Sequence, residues 1–406
     1  MNSASPRPDS RVVIVGAGPV GLAAALRLGH FGIEAVVLES ADGISRDLRA
    51  STFHPPTLDM LAPYGITEQV IAAGLKAPTW QVRMHATGEY AEFDLSILAE
   101  HTAHPYRVQC EQWKLAEFML AHIRARLPQV SVRFGEAYLE HQQDAQGVTV
   151  RARAGDGSVR EIRCDHLIAA DGARSAVRQS LGLEFEGHTF PETTILATTP
   201  FRFHEHLEHL SYINYCWGER GTFSLLRLPE LWRVSLYPEE GESIEEATTI
   251  EAVQRKLQGI LPRPEPYEIL EVRPYRIHQR VVRGYVHGRV VLAGDSAHVN
   301  SPSGGMGMNG GIHDAFNLTE KLRRIWAGED AGELLARYER QRRPIAIKHV
   351  LEQSGRNRAR MQQRGSQERA RALAALQRKA ADPKLALDHL LETSMIAGLR
   401  EAEAIQ

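Results

Sequence analysis

Three segments of this chain combine residue types and spacings that could do chemistry: Gly16-Ala17-Gly18-Pro19-Val20-Gly21, the pair Asp171-Gly172 within residues 167–178, and the glycine-rich run 294–311. In the first, the apolar residues Val12, Val13, Ile14 and Val15 run straight into the glycines, and helix formers follow. That order spells strand, tight turn and helix. Gly16 permits the turn, Gly18 lets backbone N–H groups approach a pyrophosphate, and Gly21 with Ala25 lets the helix pack closely on the sheet. The helix N-terminus then presents the positive end of its dipole to the anion. A second apolar run, 35–38, stops at Glu39, an acceptor placed for both hydroxyls of an adenosine ribose and repellent to a 2′-phosphate. FAD and NAD both fit so far. An ordinary βαβ turn is the bland alternative, and the strand context together with Glu39 argues against it.

The third segment separates the two dinucleotides. Residues 289–293 read as a buried strand that enters Gly294-Asp295, and the run to Gly311 is so rich in glycine that it reads as a loop exposing bare N–H groups to a ligand. Helical spacing returns over 312–326, with Ile312, Phe316, Leu318 and Leu322 as core contacts. The dipole of that helix would stabilise negative charge on a reduced isoalloxazine, which NAD chemistry does not need. Residues 305–310 also spell GxGxxG, but no strand leads straight into them and no strand ending in an acid follows, so a second dinucleotide domain is not expected.

With these residues in view, the order GAGPVG, LIAADGARSAVR (167–178) and RVVLAGDSAHVNSPSGGMGMNGGIHDAFNLTEKL (289–322) resembles the single-component FAD-dependent aromatic hydroxylases of the para-hydroxybenzoate hydroxylase type. The likeness extends to Tyr338-Glu339-Arg340-Gln341-Arg342-Arg343-Pro344 and covers most of residues 11–350. The resemblance implies Gly16, Gly18, Pro19, Gly21 and Glu39 around the adenosine diphosphate, Arg49 near the pyrophosphate, and Asp295 on the ribityl chain. It implies Asp171 and Gly172 in a segment shared by flavin and pyridine nucleotide. Pro302, Gly304, Gly305, Gly307, Met308 and Asn309 would lie along the flavin ring. Gln112 would be a further flavin contact, with Gln109 competing for that role. The arginine that usually follows proline in the stretch 49–58 is Pro56 here. His298 would be a structural residue of the flavin loop.

Composition agrees with an enzyme of this kind. There are 48 basic and 50 acidic residues and 43% hydrophobic residues in 406, ample for a sizeable core. Near-neutral charge argues against nucleic-acid binding. No secretory leader or membrane span is legible, so a cytoplasmic protein without integral membrane association is expected. Cys110, Cys164 and Cys216 read as free buried thiols. His204, His206 and His209 fit no common metal spacing, so no metal is expected.

The organisation expected from the motifs is α/β. A discontinuous Rossmann-like FAD-binding domain (11–79, 107–182, 275–345) is interleaved with an antiparallel-sheet substrate domain (80–106, 183–274), and a helical region (346–406) follows. Residues 90–95 alternate as a half-buried strand, and alternation recurs at 212–217, 222–228 and 232–237. Strand parity puts Tyr215 and Trp217 on one face, and likewise Phe223, Leu225 and Arg227. An aromatic wall plus Arg227 would suit a planar, anionic aromatic, so Tyr215, Arg227 and Pro302 are the candidate catalytic residues. The bland reading makes the aromatics core and Arg227 a surface charge. The basic stretch 356–379 reads as a solvated or subunit-packing helix, leaving a homodimer open, and 383–399 as a small helical cap.

The resemblance implies that NADH or NADPH docks transiently and reduces FAD. O2 then adds at the flavin C4a, and the hydroperoxide delivers one oxygen to a small aromatic or N-heteroaromatic substrate. It also implies no appended thioredoxin-like domain. Competing readings are a flavin halogenase, whose Trp-x-Trp-x-Ile-Pro hallmark is absent, a flavin-dependent reductase or dehydrogenase working without oxygen insertion, and a non-catalytic flavin-binding protein.

Overall fold

The computed structural model describes residues 9–46, 50–219, 221–361, 363 and 365–406. The uninterrupted β-branched runs build the first sheet. Ser10–Val15 lies at its centre, flanked in parallel by Ala35–Glu39 and Val159–Ala169, with Val130–Phe134 beyond the one and Val290–Leu292 beyond the other. Val12, Val13, Ile14 and Val37 are fully buried, as in parallel strands covered on both faces, which is why these runs do not alternate. Pro19–His30 packs against both Gln112–Arg126 and Met306–Trp326.

The second sheet has eight strands in the order His298–Val299, Glu271–Val282, Phe185–Thr199, Trp232–Leu236, Gly221–Arg227, Ile213–Gly218, Thr79–Met84, Tyr90–Asp94. Thr79–Met84 runs parallel to Ile213–Gly218; the other pairs are antiparallel. In Tyr90–Asp94 the alternation is plain, with Ala91 and Phe93 buried and Glu92 and Asp94 exposed. One face of the sheet holds Phe223, Leu225 and Val234 against Val253, Leu257 and Ile260 of the helix Ile250–Ile260. The other gathers Trp80, Phe93 and Trp217 against Leu373, Leu376 and Leu390 of the C-terminal helices.

Two expectations need correction here. The glycine run is not loop to its end, because the helix Met306–Trp326 begins six residues before Ile312. Glycine disfavours a helix interior by about 1 kcal/mol relative to alanine, but a Cβ on Gly311 would stand 2.6 Å from Val20 Cγ2 and 3.0 Å from Gly294 Cα. The helix crosses the first helix and the turn after Val290–Leu292 at a distance only glycine allows. The basic stretch 356–379 is likewise not one solvated helix. It forms parts of Glu352–Met361 and Ser366–Ala381, whose inner side seals the second sheet. Arg369 is buried and donates to the Gly218 carbonyl at 2.9 Å, and Trp217 Nε1 donates to the Arg360 carbonyl at 3.1 Å.

Residues 383–399 fall in two short helices, Pro383–Thr393 and Ile396–Ala404. Among the described residues no helix is long and apolar enough to cross a membrane. The three cysteines are buried, and burial pushes each thiol up to about 12. His204 stacks on Trp232, His206 on Phe201 and His209 on Tyr90, three separate aromatic contacts.

Candidate active site

The helix Pro19–His30 starts at Gly18 with no side-chain cap and no acid in its first turn, so its leading N–H groups are open to an anion. Gly16 sits at φ +105°, and a Cβ there would lie 2.4 Å from the Ala170 carbonyl oxygen; the turn and the neighbouring strand exclude any side chain. Glu39 ends its strand with Oε2 accepting from Ala17 N at 2.9 Å and Oε1 from Ala41 N at 3.0 Å. These bonds fix the carboxylate beside the turn; Ser40 Oγ is a further, longer donor to Oε1 at 3.4 Å, and Oε2 keeps a lone pair for a ribose hydroxyl. Asp171 Oδ2 accepts from Val177 N at 3.2 Å, whereas its buried Oδ1 has no partner. Burial raises this carboxyl above the usual range against the pull of its bonds to Ser175 and Val177. An unpaired buried oxygen is costly and marks where a ligand donor belongs. Gly172 follows at φ +79°. Arg49 lies outside the described residues.

Asp295 is exposed on the short turn Gly294–Ser296, which follows Val290–Leu292. Asp295→Ala is expected to deplete bound FAD, read as the flavin-to-protein absorbance ratio after desalting. Full occupancy in that variant would remove Asp295 from the site.

A second uncapped helix end faces the same region. Met306–Trp326 starts after Gly305 at φ +67°, again with no side-chain cap and no acid in the first turn. The N–H groups of Met306, Gly307 and Met308 are therefore free of intrahelical acceptors. Asn309 is different. Its Oδ1 accepts from His54 N at 3.0 Å and its Nδ2 donates to Thr52 O at 2.8 Å and Gly305 O at 2.7 Å, so the amide braces the loop 52–54 against the helix. Pro302 is exposed, and its carbonyl accepts from Gly305 N at 3.1 Å to close the turn. Gln112 opens its helix, with its backbone N–H on Ala50 O at 3.0 Å. Gln109, the competing candidate, is fully buried; Oε1 accepts from Thr52 Oγ1 at 3.1 Å and Nε2 has no partner.

These parts fit FAD on their own chemistry: two uncapped helix N-termini, an acid at the end of the second strand, and two buried polar atoms, Asp171 Oδ1 and Gln109 Nε2, awaiting partners. His298 belongs to the frame beneath. Buried, it bonds Asp314 Oδ2 through Nε2 at 2.8 Å, and Asp314 Oδ1 accepts from Arg342 Nε at 2.7 Å.

Against the loop 303–306 lies a cavity lined by Trp80, Val82, Arg107, Tyr215, Ser303, Gly304, Met306, Asn357, Arg360 and Thr393. Tyr215 is in it beside Gly304; burial holds its hydroxyl above the usual tyrosine value, against the opposing fields of Arg107 and Arg360. Arg227 is not in it. The register pairs Tyr215 with Ser224 and Cys216 with Phe223, so Phe223, Leu225 and Arg227 take the face opposite Tyr215 and Trp217. Arg227 ends 5.8 Å from the Tyr212 ring, and the arginines of the cavity are Arg107 and Arg360. Parity within one strand could not show this, because it does not tell how two strands are registered.

Fold and site together define an FAD-binding flavoprotein with a partly open, aromatic-walled cavity beside the flavin helix, Met306–Trp326. The family profile described as FAD binding domain matches residues 9–354. The chain is 33% identical over 398 residues to para-nitrophenol 4-monooxygenase of Pseudomonas sp. (strain WBC-3), covering 97% of each chain. It is 34% identical over 347 residues to 6-hydroxy-3-succinoylpyridine 3-monooxygenase of Pseudomonas putida (strain DSM 28022 / S16), covering 84% of this chain and 86% of the relative. The crystal structure of p-nitrophenol 4-monooxygenase from Pseudomonas putida DLL-E4 superposes with a TM-score of 0.89 at 31% identity, over 96% of this chain and 98% of that one. The protein belongs to the single-component FAD-dependent aromatic hydroxylases. It is an FAD-dependent monooxygenase that hydroxylates an aromatic substrate.

Proposed function

We propose that this enzyme uses NADH or NADPH and O2 to hydroxylate a small phenol or hydroxypyridine carrying an electron-withdrawing substituent across the ring from its hydroxyl. The observation that carries this reading is the chamber itself, which abuts Ser303 and Gly304 at the flavin helix and is walled by Trp80, Val82, Tyr215 and Met306. Both relatives named above act, by their names, on rings of this substitution pattern. The second sheet, with the helices on its two faces, is the substrate-binding portion in this reading, interleaved with the FAD-binding portion. A supply of reduced nicotinamide suits a cytoplasmic enzyme.

Bound FAD would supply the redox chemistry that links nicotinamide, O2 and the aromatic ring. The chain supplies the rest. Gly18, Glu39, Asp171 and Asp295 would hold the cofactor, and the N–H groups of Met306, Gly307 and Met308 would set a positive potential beside it. Trp80, Val82 and Met306 exclude water and confine the substrate plane. Tyr215, kept protonated by burial, holds its hydroxyl at the loop beside the reacting ring.

The test is FAD-loaded protein assayed with NADH and NADPH against a panel of 4-substituted phenols and 6-hydroxypyridines, following nicotinamide oxidation, oxygen uptake and product in 18O2. Substrate-stimulated oxidation with one 18O in the product is expected. Nicotinamide oxidation without oxygen incorporation for every ring would sink the reading.

A further inference from the structure

The cavity beside the flavin helix is shut on most sides, so a ring that reacts there needs a way in. Trp80, Val82, Arg107, Met306 and Thr393 line it and are each at most 4% exposed. The second sheet, the start of Met306–Trp326 and the end of Pro383–Thr393 therefore close those walls. The half-exposed lining residues are Tyr215, Ser303, Asn357 and Arg360. Tyr215 stands beside Gly304 and Ser303 in the glycine-rich loop, the side that FAD would cover. Asn357 and Arg360 lie three residues apart on one face of the helix Glu352–Met361, and that helix is the remaining side.

Outside it, a second, more open cleft of about 540 Å³ separates Glu352–Met361 from Ser366–Ala381. Among the described residues Arg360 alone lines both the cavity and the cleft, so one side chain is the partition between them. Its backbone is anchored, the carbonyl accepting from Trp217 Nε1 at 3.1 Å. Its guanidinium is not, for among the described residues it makes no hydrogen bond or ion pair. The neighbouring Arg356 and Arg358 are tied, to Gln353 and to Glu192. Arg360 can therefore change rotamer without breaking a polar contact, a motion of nanoseconds or less. The cleft is kept wide by small residues: Ala359 on one helix faces Ala372 and Ala375 on the other.

We propose that the cleft between Glu352–Met361 and Ser366–Ala381 is the port through which the aromatic substrate enters the cavity and the product leaves, with Arg360 the side chain that swings aside to let a ring pass. The inference rests on the cavity's being the substrate site. It goes beyond that reading by assigning a route, and it gives the three alanines the task of keeping that route open.

The first test mixes 4-nitrophenol with FAD-loaded protein in a stopped-flow instrument and follows the flavin absorbance without nicotinamide. Ala375→Trp and Ala359→Trp, both at exposed positions, fill the cleft without lining the cavity. Each is expected to slow association and dissociation alike by about 10-fold or more while Kd stays within about two-fold, because an obstructed route raises the barrier in both directions and leaves the end states alone. Arg371→Trp, exposed on the same helix but outside the cleft, should leave both rates unchanged. FAD retention reports that each variant is folded, and either cleft variant decides if the other is not. Unchanged rates, or weaker binding in place of matched rates, overturns the inference. A second test does not depend on the substrate. Val82→Cys puts a thiol in the cavity, while the native thiols are buried and pushed up to about 12. Its thiolate attacks benzyl methanethiosulfonate, forming a mixed disulfide and releasing methanesulfinate, and mass spectrometry gives the rate. Adding Ala375→Trp is expected to slow this labelling by about 10-fold. Slowed labelling with no flavin response to 4-nitrophenol and no oxygen uptake stimulated by any ring leaves the port standing and removes the proposed function. Substrate-stimulated oxygen uptake with labelling that is not slowed, or that never occurs, leaves the proposed function standing and removes the port.

Discussion

Asp314→Asn is expected to lower stability by about 3–5 kcal/mol, the cost of leaving a buried charge without its partner. Asp314 is fully buried in the helix Met306–Trp326 and ties together three separate elements. Its Oδ2 accepts from Gly294 N at 3.0 Å and from His298 Nε2 at 2.8 Å, and its Oδ1 accepts from Arg342 Nε at 2.7 Å. Burial alone would push the carboxyl up, but the Arg342 guanidinium and the His298 hydrogen bond outweigh it and hold it at about 2. The amide keeps the shape and loses the charge. It turns an N–H toward one of its donors and leaves the Arg342 guanidinium, 1% exposed, without a counter-ion. With an unfolding entropy of about 2 cal/mol/K per residue, the unfolding midpoint should fall by roughly 4–6 °C. Gly294 precedes Asp295, so the same substitution should loosen FAD as well. A thermal scan at fixed FAD concentration checks the first effect and flavin retention the second. An unchanged midpoint would mean that the ion pair contributes nothing to the fold.

The cofactor half of the site was legible because its chemistry is local. A strand, a glycine turn and a helix N-terminus occupy consecutive residues, and the acid that completes them, Glu39, ends the next strand. The same local reasoning failed where distant segments decide the outcome. The residues 306–311 have poor helix propensity, yet they are helical because Val20 and Gly294 press on them from other parts of the chain. Arg227 was misplaced because alternation fixes which residues of a strand share a face but leaves its register with the next strand open. Arg107 and Arg360 gave no pattern at all. One sits in a three-residue strand, and the other is among eight basic residues of which Arg358 and Arg369 are also turned inward, onto Glu192 and the Gly218 carbonyl. The one signal that could have singled them out is the lack of acids beside them.

Stability is expected to fall by about 6 kcal/mol between pH 7 and pH 5, before most carboxylates titrate. His166, His313 and His389 are buried. Burial is the main cause that lowers them, to about 4, about 3 and about 3, with Arg289 adding to it at His166, Arg342 at His313 and Lys379 at His389. His313 meets Thr57 Oγ1 at 3.0 Å, His166 packs edge-on to Trp326, and His389 lies 4.8 Å from Phe93, so none has a carboxylate hydrogen-bonded to its ring. In the unfolded chain each ring takes up a proton as pH falls through about 6.5, while in the folded protein it stays neutral until pH 4 to 3. The unfolded state thus binds more protons across this window, and stability, complete above about 6.5, is lost on acidification. Each ring contributes up to about 1.4 kcal/mol per pH unit, or about 2 kcal/mol between pH 7 and pH 5; these three rings give about 6 kcal/mol, and His54, held well below its usual value by burial, adds in the same direction. Asp314 adds its own loss only below about 4, the unfolded carboxyl value, because its folded value is depressed to about 2. Urea midpoints measured at pH 7, 6 and 5 with FAD held constant test the slope. His166→Phe, which keeps an aromatic against Trp326, should remove about a third of it. A slope that is flat above pH 5 in the wild type would show that the buried rings take up protons in the folded protein as readily as in the unfolded one.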